Sequence, residues 1–152
     1  MYANVARAYA QNQAQGTSKA KQVAMVLDLA IASLREAEQA IHDNQIVQRF
    51  YRVRRAREIV LTLKSALDYN QDADLARNLD TVYVNCLQRM TWINTKNEPQ
   101  YVHEVIRLLE PLRDAWYDAA KQQTTGAPAQ QPGQTAQPHE PAEVPSGINL
   151  AT

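Results

Sequence analysis

Cysteine, glycine and histidine are all scarce in this chain, and each scarcity removes a class of function. A single cysteine, Cys86, excludes an internal disulfide and fits a reducing compartment. The three histidines, His42, His103 and His139, lie in distant regions. None has a second histidine one helical turn away, as a helical zinc site requires. The four glycines are isolated, so no glycine-rich loop is available to cradle a phosphate. No apolar run approaches the roughly 20 residues of a membrane span. The opening Met1-Tyr2-Ala3-Asn4 has no charged start followed by an apolar stretch, so no secretory signal is visible. Together these absences describe a soluble cytoplasmic protein that is not an enzyme and needs no metal or cofactor.

The placement of glycine and proline says more than their number. No glycine falls between Gly16 and Gly126, and only Pro99 and Pro111 interrupt that stretch. A β-rich domain needs turn residues far more often, whereas long helices do not. The apolar residues follow the three-and-four rhythm of helix faces. One row is Val23, Leu27, Ile31, Leu34 and Ile41; a second is Phe50, Val53, Ala56, Val60, Leu63 and Leu67. A third is Leu75, Leu79, Val82, Cys86, Met90 and Ile93, and a fourth is Val102, Val105, Leu109, Leu112 and Trp116. Cys86 thus falls at a core position, as a small hydrophobe.

Four such helices, at about 17–42, 46–69, 73–96 and 98–121, predict an all-α fold, an antiparallel up-down four-helix bundle spanning 17–122. Thr17, Ser18 and Asp72 are placed to cap helix starts, and Pro99 suits a first turn. Pro111, inside the last pattern, predicts a kink. Residues 1–16 read as a flexible N-terminal segment. Residues 123–152 are rich in Gln, Pro, Thr and Ala, cannot bury enough apolar surface, and read as a disordered tail.

Charge is balanced, with 16 basic and 16 acidic residues, which is no general mark of nucleic-acid binding. Arg49, Arg52, Arg54, Arg55 and Arg57 nevertheless crowd into the second helix. They suit either a nucleic-acid surface or a solvated face with acidic partners such as Glu58 or Asp72. Because they spread around more than half the helix, the solvated face is the better reading. Apolar surface is in excess. On the first helix Met25, Leu29 and Ala32 point away from the core row; on the fourth Tyr101, Leu108, Ala115 and Ala119 widen the apolar face; the second adds Ile59 and Ala66. Surplus faces suit a groove for a foreign helix, or self-association as a weak homodimer.

The order of these elements resembles the FliS family of flagellin-specific export chaperones, over roughly residues 1–120. Met1-Tyr2 and Ala8-Tyr9-Ala10-Gln11 open the likeness. Met25-x-x-Asp28-x-Ala30 is similar to the family's M-L-[YF]-D-G-A. Leu75-Ala76-Arg77-Asn78-Leu79 with Tyr83, then Arg89 and Asn94, follow in family order. The segment from Glu104 through Leu108-Leu109 and Leu112-Arg113-Asp114-Ala115-Trp116 matches best. The chain departs from the pattern at Leu29, where the family has glycine, at Asp72-Ala73, where it has Gly-Gly, and at Ser18-Lys19, where it has Ser-Pro. The resemblance implies a four-helix bundle that binds the disordered C-terminal segment of flagellin, with Tyr2 and Tyr9 in an N-terminal segment that covers part of the binding surface. Tyr2 and Tyr9 are partner-binding candidates by the resemblance, Met25 and Leu29 by both the resemblance and their outward position, and Ala32, Tyr101, Leu108 and Ala115 by the surplus apolar faces alone; contact with the flagellar export apparatus stays open. Asp28, Asn78 and Asp114 read instead as capping and inter-helix hydrogen-bonding groups.

Overall fold

The computed structural model describes residues 18–125. Among these the chain forms four helices: α1 Lys19–His42, α2 Ile46–Ser65, α3 Ala73–Lys96 and α4 Pro99–Thr125. Tyr2, Tyr9 and the segments 1–17 and 126–152 lie outside the described residues.

Local chemistry sets the helix limits. Ser18 accepts a hydrogen bond from the Lys21 amide at 3.2 Å, and Asp72 accepts one from the Leu75 amide at 3.0 Å. Each satisfies a donor that the first turn leaves open. The α1–α2 and α3–α4 turns each need a left-handed residue, and asparagine supplies it where glycine is absent. Asn44 has φ 57° and Asn97 has φ 56°. The second helix stops at Ser65, four residues short of the spacing-based expectation. There the Asp68 carboxylate accepts the Asn70 amide at 2.9 Å, a local turn that competes with helix continuation. The fourth helix runs four residues further than expected, to Thr125, because Ala119 to Gln123 favour helix and nothing ends it before Gly126. It continues through Pro111 without interruption. Pro111 is exposed, so the amide it lacks and the Arg107 carbonyl it leaves unpaired face water.

The bundle closes as a ring in which α1 touches α2 and α4, and α3 touches the same two helices from the far side. Cross-helix pairs give the directions. Asp28 meets Arg113, Arg35 meets Glu110 and Glu38 meets His103, so α4 descends as α1 ascends. Lys64 with Asp80, and Arg89 with Glu104, make α3 antiparallel to both α2 and α4. The core joins Leu27, Leu34, Val53, Val60, Met90, Ile93, Val102 and Leu109, each worth about 1.5–3 kcal/mol on full burial. Small buried residues on α1 (Ala24, Ala30, Ser33, Ala37) let its neighbours approach closely, whereas α3 fills its side with Tyr83 and Met90.

Two residues of the expected core rows are exposed. From Ala56 back to Phe50 the chain takes two three-residue steps, which at 3.6 residues per turn swing Phe50 roughly 120° round the helix. Leu75 lies in the first turn of α3, at the end where α2 has already stopped, so the layer that would cover it is incomplete.

Candidate functional site

The first helix is gripped on two flanks, and its third side carries the surplus apolar strip. Toward α4, Asp28 accepts from Arg113 at 3.0 Å and from the Tyr117 hydroxyl at 2.6 Å. Arg35 pairs with Glu110 at 2.6 Å, and Glu38 lies 2.7 Å from His103. Toward α2, the Ser33 hydroxyl donates to the Arg52 carbonyl at 2.9 Å, and Glu36 pairs with the Arg52 side chain at 2.8 Å. Leu29 precedes Ser33 by four residues and Glu36 by seven, so it sits on the α2 border of the outer face. It is 39% exposed, with Met25 half-buried and Ala32 exposed beside it. These three residues form one strip, and the core does not enclose it.

The second apolar strip lies on the edge of α4 that borders α3. The Tyr101 ring stands 5.8 Å from Trp92, edge to face, and one turn along Glu104 pairs with Arg89 at 3.3 Å. Leu108 and Ala115 continue the Tyr101 row at seven-residue steps. Tyr101 and Leu108 are half-buried against the core, and Ala115 is exposed. The structure therefore does not gather the expected residues into one patch. Met25, Leu29 and Ala32 share the α1–α2 face; Tyr101, Leu108 and Ala115 share the α3–α4 face. Tyr2 and Tyr9 lie outside the described residues.

One functional candidate was missed from sequence. Trp92 is 44% exposed and meets Tyr101 edge to face. It sits next to Ile93 but outside the apolar row of α3, and a large aromatic displaced from its row was the available signal. Conversely, Ile59 is no spare surface. It is 1% exposed and belongs to the core, since α2 packs against α1 as well as α3 and buries a wider arc than one row. Ala66, which follows the last residue of α2 as its cap, is exposed.

The arginine cluster is largely consumed inside the bundle. Arg49 is buried and donates to the Asn97 side chain at the carboxyl end of α3, where the helix dipole favours a cation. Arg52 is held by Glu36, Arg54 pairs with Glu58 at 3.2 Å, and Arg57 donates to the Leu87 carbonyl at 3.2 Å. Asp72 serves as a cap and not as an arginine partner. A phosphate-binding stripe is not what this helix presents.

The perturbed ionisable groups are structural as well. Burial pushes the Cys86 thiol up to about 12. The hydrogen bond to Asp28, with burial second, pushes the Tyr117 hydroxyl up to about 12. Bonds to Asp114 and then Asp28 raise Arg113 further above its ordinary value. Asp28 thus acts as an inter-helix hydrogen-bond acceptor, as expected, whereas Asp114 accepts from its own neighbour Arg113 and neither caps a helix nor bridges two. An open hollow beside the α1–α2 turn is lined by polar groups, among them Glu36, Asp43, Gln48 and Arg52. It lacks the apolar walls of a small-molecule site. Among the described residues no helix is long and apolar enough to cross a membrane.

Comparison with known proteins points one way. Residues 1–123 match the family described as "Flagellar protein FliS". The chain is 31% identical over 117 residues to the flagellar secretion chaperone FliS of Campylobacter jejuni, covering 77% of this chain and 91% of that one. It is 30% identical over 105 residues to the protein of the same name from Vibrio cholerae, covering 69% and 77%. Against that of Salmonella typhimurium it is 27% identical over 115 residues, covering 72% and 85%.

Proposed function

The chain belongs to the FliS family, and from that premise we propose that it is a cytoplasmic secretion chaperone for flagellin. Its cargo is flagellin's C-terminal segment, which it keeps from polymerising and presents for type III export. The observation that carries the reading is Leu29, apolar and 39% exposed on the outer side of a helix whose α2 and α4 flanks are engaged.

The mechanism needs only binding. A cargo segment that is disordered when free folds its apolar side onto the exposed strips, a helix-in-groove mode. Ordering that segment costs free energy and lowers the net affinity. Occupied chaperone withdraws by mass action the surface that flagellin would use in the filament. Because the two apolar strips lie on different faces of the bundle, the cargo engages both only if it wraps around the bundle end or side in more than one helical piece. Tyr2 and Tyr9 belong to the segment that we assign to covering part of this surface before cargo arrives. The reading involves no catalysis and no cofactor.

Titration calorimetry of the full chain with the C-terminal segment of the host's own flagellin tests the proposal. Saturable one-to-one binding that persists at moderate salt supports it, since apolar contacts are weakly screened. Absence of binding at any salt concentration refutes it. Binding to nucleic acid that collapses with salt would favour the arginine-cluster alternative instead.

A further inference from the structure

The outer side of the α2–α3 pair takes no part in the proposed cargo faces. Two contacts fix which residues line it. Arg57 donates to the Leu87 carbonyl at 3.2 Å, and Lys64 pairs with Asp80 at 2.9 Å. Leu61 lies one turn from both Arg57 and Lys64, and Phe50 lies two turns before Arg57, so both stand on the α3 side of α2. Val84 lies one turn after Asp80 and one before Leu87, on the α2 side of α3. Phe50 and Val84 are exposed, and Leu61 and Leu87 are half-buried. Ile46, one turn before Phe50, is exposed at the end where α2 begins. The groove therefore has apolar walls on both helices, and the exposed Arg57 stands between them. That guanidinium rests on a neutral carbonyl and pairs with no carboxylate among the described residues.

The chain itself carries a matching segment. No lysine or arginine follows Lys121, and the only acids after it are Glu140 and Glu143. The only large apolar side chains after it are Val144, Ile148 and Leu150, so all five fall within residues 140–150. The fourth helix ends at Thr125, at the end of the bundle where α2 stops and α3 starts. Chain running from Thr125 to Glu143 has a root-mean-square span of about 21–25 Å. Neighbouring helices stand about 8–10 Å apart, so the mouth of the groove is within reach without stretching. The order of the chemistry matches too. From that mouth, Arg57 is followed by Phe50 and Ile46 about 10 and 16 Å further along α2. In the segment, Glu143 is followed by Ile148 about 16 Å further when extended. We propose that residues 140–150 of this chain lie in the α2–α3 groove, with Glu143 on Arg57 and Ile148 against Phe50 and Ile46. The tether holds the segment at an effective concentration on the order of millimolar, so a contact with a Kd of ~1 mM is filled for half of the molecules.

A nitroxide attached at Ser146→Cys in the full chain reads the contact, because the native Cys86 is buried and stays unlabelled. Amide signals of Phe50, Leu61 and Val84 should broaden, and those of Ala32 and Ala115 on the other faces should not. Glu143→Arg and Ile148→Asp should each remove the broadening, and because they lie outside the bundle its melting curve should not change. Arg57→Glu should remove it as well, and Arg57→Glu combined with Glu143→Arg should restore it. The two tail variants decide the matter if Arg57→Glu weakens the fold. Broadening that is absent, spread evenly over the bundle, or centred on another face overturns the proposal. So does broadening that the tail variants leave intact. Broadening passed from a labelled chain to an unlabelled one in a mixture would make a second copy the occupant, and it overturns the proposal equally. The measurement is made without cargo, so its outcome is independent of the chaperone reading.

Discussion

Replacing Leu29 separates a binding surface from a core position. Leu29 is 39% exposed, so about three fifths of it is already covered by its own chain. Full burial of a leucine is worth about 1.5–3 kcal/mol, so docking of a cargo helix over the remainder contributes about 0.6–1.2 kcal/mol. Leu29→Ala should therefore weaken cargo binding about three- to eight-fold and cost the free protein about 1–2 kcal/mol of stability. Leu29→Asp differs in kind. In the free protein its carboxylate can turn toward water. In the complex it is pressed against apolar cargo, where stripping water from a charge costs several kcal/mol. Binding should fall by more than ~100-fold while unfolding stays cooperative. Titration calorimetry and a denaturant melt on each variant give both numbers. If Leu29→Asp binds cargo like the parent, the strip is not a binding surface. If it fails to fold, Leu29 belongs to the core and the reasoning from exposure is wrong.

Trp92→Ala should cost the free protein about 0.5–1.5 kcal/mol through loss of its edge-to-face contact with Tyr101, and should weaken cargo binding because the exposed 44% of the ring no longer meets the cargo; an unchanged affinity would remove the α3–α4 face from the site. Tyr117 titrates high, at about 12 in the fold against an ordinary 10. The stability it contributes is therefore complete below about pH 10 and lost as pH rises through 12. Asp28→Asn should lower the pH at which the phenolate absorbance appears. Cys86, buried and held near 12, should resist thiol reagents at neutral pH in the native protein and react once denaturant unfolds it. Rapid native labelling would contradict its burial. Arg49→Ala should destabilise the bundle by about 1–3 kcal/mol, read from a denaturant midpoint, because the Asn97 oxygen at the end of α3 loses its donor.

Local features were legible because they depend on neighbours in the chain. Ser18 and Asp72 cap where their types and positions suggest, and Pro99 opens the last helix. The end of α2 was misjudged because Asp68 and Asn70 form a turn of their own, which an apolar row ending in Leu67 conceals. The candidate site was only half legible. The outward positions of Met25, Leu29 and Ala32 followed from helical spacing against Leu27 and Leu34. That Tyr101 stands beside Trp92 required α3 and α4 to be set side by side.

The chain by itself determined four helices, their caps, their antiparallel order and the identity of most core rows. Spacing along a helix decides which side chains share a face, and short turns leave consecutive helices no other direction. Only the tertiary structure decided which faces were closed. Ile59 and Leu29 look alike in sequence, both apolar and both off the main row, yet one is sealed and the other open. The physical reason is that burial belongs to pairs of helices. A side chain's exposure depends on how near the adjoining helix comes, and that distance is set by the size of residues elsewhere, such as the small row on α1 and Tyr83 and Met90 on α3.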